Sequence, residues 1–440
     1  KQDATNLIIG DGRNHVFLTR RIYDVITSEP SNPWIAGIGN LFTLEFWRKC
    51  SDRLSDDGIM CQWLQTYQVN VQTFQFIVRT FKHVFPNMTL WYVDGQDLLL
   101  IGSKQPVKID YKRLQERMSE RAISEDLRMI GVHDAPMFLA HFAAAPDDID
   151  KLAGEGPLHT DDNARLEFDM PRQIYTSYLE IFEKLEGHLS DPVSILQSDS
   201  LEAHERSRLA KIQSCEWHIQ WADLLATNRK TDAATRVYLE ARSIISNYPR
   251  ALLKLFLHHY GEARDAYDSR DSAKAEKHLK QLLPIHPRIA KLQESHPQFL
   301  EQYLEDESGL NELYAQAASN LGVVLLGKLR KGNSPAVLQD AIETFRFALK
   351  LDPESSQANT NLGSLLIQAK QYEEALKCIR TAIRQNPESP ALKTNEATAL
   401  ESLKELDEAR ASLKAAILMD ATFWPAHLKL GMLQEKQNET

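Results

Sequence analysis

The chain has 440 residues, enough for two or three domains with sizeable cores, and its 43% hydrophobic and 25% charged residues are ordinary for a soluble globular protein. A net charge of -10 argues against nucleic acid as the main partner. No run of about eighteen apolar residues exists to span a membrane. Cys50, Cys61, Cys215 and Cys378 form no CxxC pair, so they read as free thiols of a reducing compartment, filling core.

The first apolar run, Asn6-Leu-Ile-Ile-Gly10, already reads as a strand, and the chain starts with Lys1 rather than Met. We therefore expect a fragment cut upstream. Gly10-Asp11-Gly12-Arg13 follows as a turn that carries a carboxylate. Tyr23 to Thr27 is β-branched and apolar, so it reads as a buried strand; Glu29 and a loop stiffened by Pro30 and Pro33 come next, then a helix beginning near Leu41. Ligands of open α/β sheets bind outside the carboxyl ends of strands, which makes this loop a catalytic edge. Gly58-Ile-Met-Cys-Gln62 reads as a third strand. Val71, Phe74, Ile77, Val78 and Phe81 fall at helical spacing, and Pro86 closes that helix. Thr89 to Val93 and Asp97 to Ile101 flank Asp94-Gly95 as a β-hairpin. Together these elements predict a mostly parallel sheet with an antiparallel edge.

In order and spacing, Gly10-Asp-Gly12, Tyr23-Asp-Val-Ile26, the acid–Pro loop, Leu41-Phe-Thr43 with Glu45-Phe46, Gly58-Ile59 with Gln62, and Phe85-Pro86 resemble the spermidine synthases. Ser28-Glu-Pro-Ser-Asn-Pro-Trp34 and His159-Thr-Asp-Asp-Asn163 are most similar to the divergent members often fused to membrane transporters. The resemblance implies aminopropyl transfer from decarboxylated S-adenosylmethionine to a diamine such as putrescine. The attacking amine must be deprotonated, and a carboxylate beside it serves as the base. The family's base, the first Asp of its Asp-Ser-x-Asp-Pro loop, falls on Glu29, and its second Asp falls on Asn32. One extra methylene moves the carboxylate by about 1.5 Å, and Asn32 removes a negative charge from a site for a cationic amine. The adenine contact falls on Asp11 beside Gly12, the Pro that packs on adenine falls on Pro33, and Gln62 matches a glutamine near the polyamine. The family's glycine loop for the nucleoside lies upstream of residue 1. Asp11 also has an ordinary reading as turn chemistry, and Asp161-Asp162 as a cap or turn rather than an ammonium site. Trp34 and Trp47 read as packing residues.

From about residue 173 helical spacing dominates. Ala341, Ala375 and Ala409 recur every 34 residues, as do Ala348, Ala382 and Ala416. Pro353 and Pro387 keep the same interval, and Gly363 and Gly431 keep twice that interval. This pattern resembles the tetratricopeptide repeat. We read repeats at 315–355, 356–389 and 390–423, with a partial one at 424–436 and an insertion near Lys331-Gly-Asn-Ser-Pro335 in the first. Residues 190–300 look like degenerate units, with a linker from Pro171 to about Leu201. Trp424 reads as repeat packing. Lys350, Lys370 and Arg384 are candidates for an acidic partner, though solvated helix faces look the same.

The sequence thus predicts an incomplete α/β Rossmann-like, methyltransferase-type sheet followed by an all-α solenoid of tetratricopeptide type. Residues 1–172 are expected to form the synthase-like part, 173–300 the degenerate helical part and 301–440 the repeats. The expected function is aminopropyl transfer, with a protein or peptide partner on the repeats; the alternatives are an inactive synthase relative acting as a scaffold, or an S-adenosylmethionine-dependent methyltransferase. No metal or resident cofactor is expected beyond the cosubstrate. Family synthases are often dimers, so a homodimer is an expectation, as is a cytoplasmic-side location with a membrane anchor upstream.

Overall fold

A computed structural model describes residues 6–30, 35, 37–93, 97–163, 165–173, 179–197, 201–295, 309–332 and 334–438. The chain divides into two compact units, Lys1–Lys254 and Leu255–Thr440. No described helix is long and apolar enough to cross a membrane.

The first unit is built on five strands: β1 (Tyr23–Ser28), β2 (Leu54–Gln65), β3 (Thr89–Tyr92), β4 (Asp97–Ser103) and β5 (Phe142–Ala144), in the order β1-β2-β4-β3-β5. β1 and β2 are parallel, in register from Val25↔Ile59 to Ser28↔Gln62. The other three pairings are antiparallel. The sheet is therefore mixed rather than mostly parallel, because the hairpin strand β4 lies between β2 and β3 and runs against both. The hairpin partners Thr89↔Ile101 and Tyr92↔Leu98 match the expected pairing, while its Asp94-Gly95 turn lies outside the described residues.

Two strand expectations change at this end of the sheet. β1 is half-exposed rather than buried, with Val25 58% exposed, since it has β2 on one side and is an edge strand in the described sheet. Leu7, Ile8 and Ile9 form no strand and are 64–95% exposed. A strand needs a neighbour for its backbone groups, and this run pairs with no strand among the described residues.

The β2 strand shows the alternation of a half-covered sheet: Met60, Gln62 and Leu64 are buried and Ile59, Cys61 and Trp63 are only half-buried. The helix Leu44–Arg53 starts at Thr43, whose hydroxyl accepts from Phe46 N–H at 3.3 Å. A 3₁₀ turn, Ile38–Phe42, occupies the place where the sequence suggested the helix start. Asn70 caps the helix Val71–Val84 in the same way, and that helix buries Phe74, Ile77, Val78 and Phe81. Trp47 lies edge-on against Phe81, ring centroids 4.9 Å apart.

Within the described residues, the expected linker is packed structure. In the helix Leu179–Glu186, Leu179, Ile181, Phe182 and Leu185 are all buried. Ile195, Leu196 and Leu201 share a core with Tyr111, Met118, Leu209 and Ile212, and Leu196 bridges Ile109. The apolar spacing of the segment drives this burial. The helices Ala203–Thr227 and Thr231–Ile244 follow, with the buried pair Glu216–Arg250 at 3.2 Å and Tyr248 donating to the same carboxylate.

The second unit stacks helix pairs: Leu310–Lys331 with Pro335–Leu351, Ser356–Gln368 with Tyr372–Gln385, and Pro390–Ser402 with Leu406–Met419, then Trp424–Asn438. Ala341, Ala375, Ala409, Ala382 and Ala416 are fully buried, so the small residues sit at helix contacts. At Gly322 an added Cβ would lie 2.5 Å from the Phe345 ring, and at Gly363 2.7 Å from Ile379, so both glycines allow close helix approach. The first pair absorbs its insertion mainly by lengthening its first helix: Gly322 lies nineteen residues before Ala341, whereas Gly363 lies twelve before Ala375. Four of the seven extra residues extend the first helix beyond its glycine and three extend the start of the second, about one helical turn each, so each packed face nearly keeps its direction.

One turn recurs in both units. Arg229, Arg270, Lys370 and Lys404 all have positive φ, from 57° to 68°. After each, the next amide donates to a carbonyl five residues back: Lys230 to Leu225, Asp271 to Ala266, Gln371 to Leu366 and Glu405 to Leu400, at 2.8–2.9 Å. This is the Schellman closure of a helix. The helices at 203–282 therefore turn as the regular repeats do, although their sequences lack the 34-residue period.

Candidate active site

The expected site lies at the carboxyl end of β1. Ser28 ends that strand opposite Gln62, and Glu29 follows, exposed. Burial, and then the Glu29 charge, push the neighbouring Cys61 thiol above its ordinary value of 9.0. Cys61 is thus held as a neutral thiol beside the Glu29 carboxylate. Asn32 and Pro33 lie outside the described residues, as does Trp34.

Gln62 is fully buried, and its amide is used inside the fold. Its Oε1 accepts from Trp47 Nε1–H at 3.2 Å, and its Nε2 donates to Trp63 O at 3.0 Å and Ser28 O at 3.4 Å. It ties the end of β1 to β2 and to the helix Leu44–Arg53. Asp11 is exposed and caps the helix Gly12–Leu18: Oδ1 accepts from Asn14 N–H and Oδ2 from the Asn14 side chain, both at 3.0 Å. Gly12 is the first residue of that helix, with open space around it.

The segment His159–Asn163 is a clasp. His159 is buried, its N–H donates to Thr80 Oγ1 at 2.9 Å, and its carbonyl accepts from Leu44 N–H at 2.8 Å. Its ring nitrogens face Asn163 Oδ1 and Gly39 O, each at 3.1 Å. Burial holds its pKa below the ordinary 6.5, against the opposing pull of those two oxygens. Asp161 pairs with Arg13 at 2.6 Å, and its N–H donates to Glu45 Oε2 at 3.0 Å. Arg13 also donates to Asn40 O and Thr43 Oγ1 and lies over the Phe17 ring. Asp161 is thereby engaged as an ion-pair and turn residue, while Asp162 is exposed. Glu45 and Asp161 line a cleft of about 550 Å³ together with Arg48, Lys49 and Asp52.

Arg13 escaped the sequence reading. Its partner lies 148 residues away, and the only available signal was a lone arginine directly after Gly-Asp-Gly.

Residues 1–94 match the family model of the spermine/spermidine synthase domain, and residues 338–397 match that of the tetratricopeptide repeat. The chain joins a spermidine synthase-like domain to tetratricopeptide repeats. A polyamine aminopropyltransferase of Korarchaeum cryptofilum (strain OPF8) is 28% identical over 182 residues, 38% of this chain and 51% of that protein. The enzyme of the same name from Methanocaldococcus jannaschii is 30% identical over 129 residues, 27% of this chain and 43% of that protein. The chain spans about half the length of these curated relatives. Among solved structures, it is similar to YrrB, a tetratricopeptide protein described as having an unusual peptide-binding site, at 18% identity and TM-score 0.29, covering 52% of this chain and 98% of YrrB. MamA from Desulfovibrio magneticus RS-1 gives 16% identity and TM-score 0.31, covering 42% of this chain and 86% of MamA.

Within the spermidine synthase-like domain, Glu29, Gln62 and Cys61 meet at one strand end, whereas Asp11 and Asp161 belong to the segments linked through Arg13.

Proposed function

We propose that the chain is a spermidine synthase-like aminopropyltransferase whose repeats hold a protein or peptide partner. The observation that carries this reading is the match of residues 1–94 to the spermine/spermidine synthase domain; Glu29, an exposed carboxylate, stands where the resemblance implies the family base. Glu29 would take a proton from the diamine nitrogen as that nitrogen attacks the methylene bonded to the sulfonium of decarboxylated S-adenosylmethionine. The C–S bond breaks, the thioether leaves, and the amine carries the aminopropyl group. Asp11, Gly12 and Pro33 would contact the nucleoside, and Asn32 and Gln62 would lie on the diamine side. Residues 1–172 are taken as the synthase part and the helices beyond them as the partner-binding part.

One observation favours a second reading, an inactive relative that serves as a scaffold. The Gln62 amide, the Asp11 carboxylate and the Asp161 carboxylate each already have partners inside the fold.

The test uses the longest form of the protein that its gene encodes, with decarboxylated S-adenosylmethionine plus putrescine, against S-adenosylmethionine alone. Mass spectrometry would show the aminopropyl product, and Glu29→Gln would slow its formation roughly a hundredfold or more. Cosubstrate binding without product would sink the synthase reading in favour of the scaffold.

A further inference from the structure

Three histidines meet in the second unit. His258 and His259 are adjacent on the helix Pro249–Asp268, and His278 lies on the helix Ser272–Leu282 after the tight turn at Arg270. His259 and His278 are each 1% exposed and His258 is 9% exposed. The ring centroids of His259 and His278 are 5.3 Å apart, and those of His258 and His278 6.1 Å apart. The Nδ1 atoms of His259 and His278 are 3.1 Å apart, and one ring nitrogen from each of the three histidines lies within 4.8 Å of the others.

The geometry suits a tetrahedral metal site. Zinc–imidazole bonds of about 2.0–2.1 Å place two ligand nitrogens roughly 3.3–3.4 Å apart. The His259–His278 separation is within a few tenths of an ångström of that value, and His258 offers a ring nitrogen within 4.8 Å of both. Three nitrogen donors without a ring of oxygens exclude calcium and magnesium, which need oxygen ligands, and select an imidazole-preferring ion.

We propose that His258, His259 and His278 bind one divalent transition-metal ion of the zinc class. Water, or Glu262, supplies the fourth ligand. Glu262 lies three and four residues beyond the helix histidines, on the same face, and is now paired with Lys274 at 2.7 Å. The near-complete burial of the three rings makes the ion a clip between two helices rather than a reaction centre. Metal and folding are then linked, since only the folded helix pair brings the ligands together.

The test strips the full chain with a chelator and titrates it with Zn²⁺ by calorimetry and with Co²⁺ by visible absorption. The expected result is one tightly bound equivalent per chain, a Co²⁺ spectrum of a four-coordinate site with three nitrogen ligands and one oxygen, and a higher thermal transition with Zn²⁺. His278→Gln and His259→Gln should each weaken binding roughly a hundredfold, whereas His204→Gln, at a histidine whose side chain is 75% exposed, should leave it unchanged. If circular dichroism shows either buried variant unfolded, His258→Gln, the least buried of the three, gives the same readout. No stoichiometric uptake overturns the proposal and leaves His259 and His278 as two imidazoles sharing one proton. Uptake that survives the substitutions in folded variants overturns it as well.

Discussion

Arg346 grips Glu374 through two hydrogen bonds, Nε at 2.9 Å and Nη2 at 2.6 Å, and so joins the second helix of one repeat to the second helix of the next. The arrangement recurs one repeat later, where Arg380 donates to Glu408 at 3.0 Å and also meets Glu396. Both arginines and both glutamates keep the 34-residue interval. Arg346→Ala should cost about 0.5–1 kcal/mol, since the pair is over a third exposed. The Arg346 hydrogen bond is the main reason that Glu374 sits below its usual 4.5. A carboxylate depressed in the folded state contributes fully above that value and loses its contribution as pH falls through the folded pKa. The difference between wild type and Arg346→Ala, followed by hydrogen exchange in Tyr372–Gln385, should therefore be full at pH 7 and vanish in strong acid. A constant difference across the range would contradict this.

The glycines at the helix contacts give a larger effect. Gly322→Ala places a methyl 2.5 Å from the Phe345 ring, which is buried and has little room to move. Overpacking of this kind costs about 1–3 kcal/mol. Gly431, at the equivalent repeat position, has nothing within 4 Å of its added Cβ, so Gly431→Ala should be neutral or slightly stabilising. Denaturant midpoints of the two variants should move in opposite directions or differ clearly; equal shifts would refute the close-approach argument.

Much of this architecture was legible because it repeats. Small residues every 34 positions can be read without coordinates, and so can β-branched runs such as Tyr23–Thr27. Tertiary context was less legible. Leu7–Ile9 has the composition of a strand but pairs with no described strand, and the stretch from Pro171 to about Leu201, read as a linker, buries several of its described apolar residues in the core. Trp424 is 69% exposed where packing was expected, since burial depends on the neighbouring elements and not on the residue alone. At the site, the position of Glu29 followed from its strand, but the engagement of Asp161 by Arg13 joins residues far apart in sequence. The three histidines were hidden for that reason too, lying on two helices with no motif spacing.

The Schellman turns place lysine and arginine where glycine is favoured. A side chain in the left-handed region costs about 1–2 kcal/mol, and glycine recovers part of that at some entropic cost in the unfolded chain. Lys370→Gly and Lys404→Gly should each stabilise the second unit by about 0.5–1 kcal/mol, seen as slower hydrogen exchange in the flanking helices. Destabilisation by either would mean that the lysine side chain makes a contact worth more than the strain.

The buried ion pair of the first unit should be sensitive to which atom is lost. Glu216 is 5% and Arg250 4% exposed, and Tyr248 donates to the same carboxylate. Glu216→Ala leaves a guanidinium buried without its counter-charge, at a cost of about 3–5 kcal/mol. Glu216→Gln keeps an acceptor for Tyr248 and should cost less. Urea unfolding of both variants, followed by tryptophan fluorescence, would test the order; an alanine variant as stable as the glutamine one would show that the charge is not held by Glu216.

His159 gives a prediction of opposite origin to Glu374 but with the same direction in pH. Its folded pKa lies below 6.5 because burial disfavours the charged ring. Above pH 6.5 the ring is neutral in both states and the clasp contributes in full. As pH falls through 6.5, the unfolded chain takes up a proton that the folded ring resists, and stability declines until the lower folded pKa is passed. His159→Gln retains groups that can face Asn163 and Gly39 but does not titrate. The stability gap between wild type and this variant should narrow between pH 7 and pH 5, because only wild type loses stability to this group. A gap that widens on acidification would mean that the ring is stabilised as the cation by the two oxygens it faces.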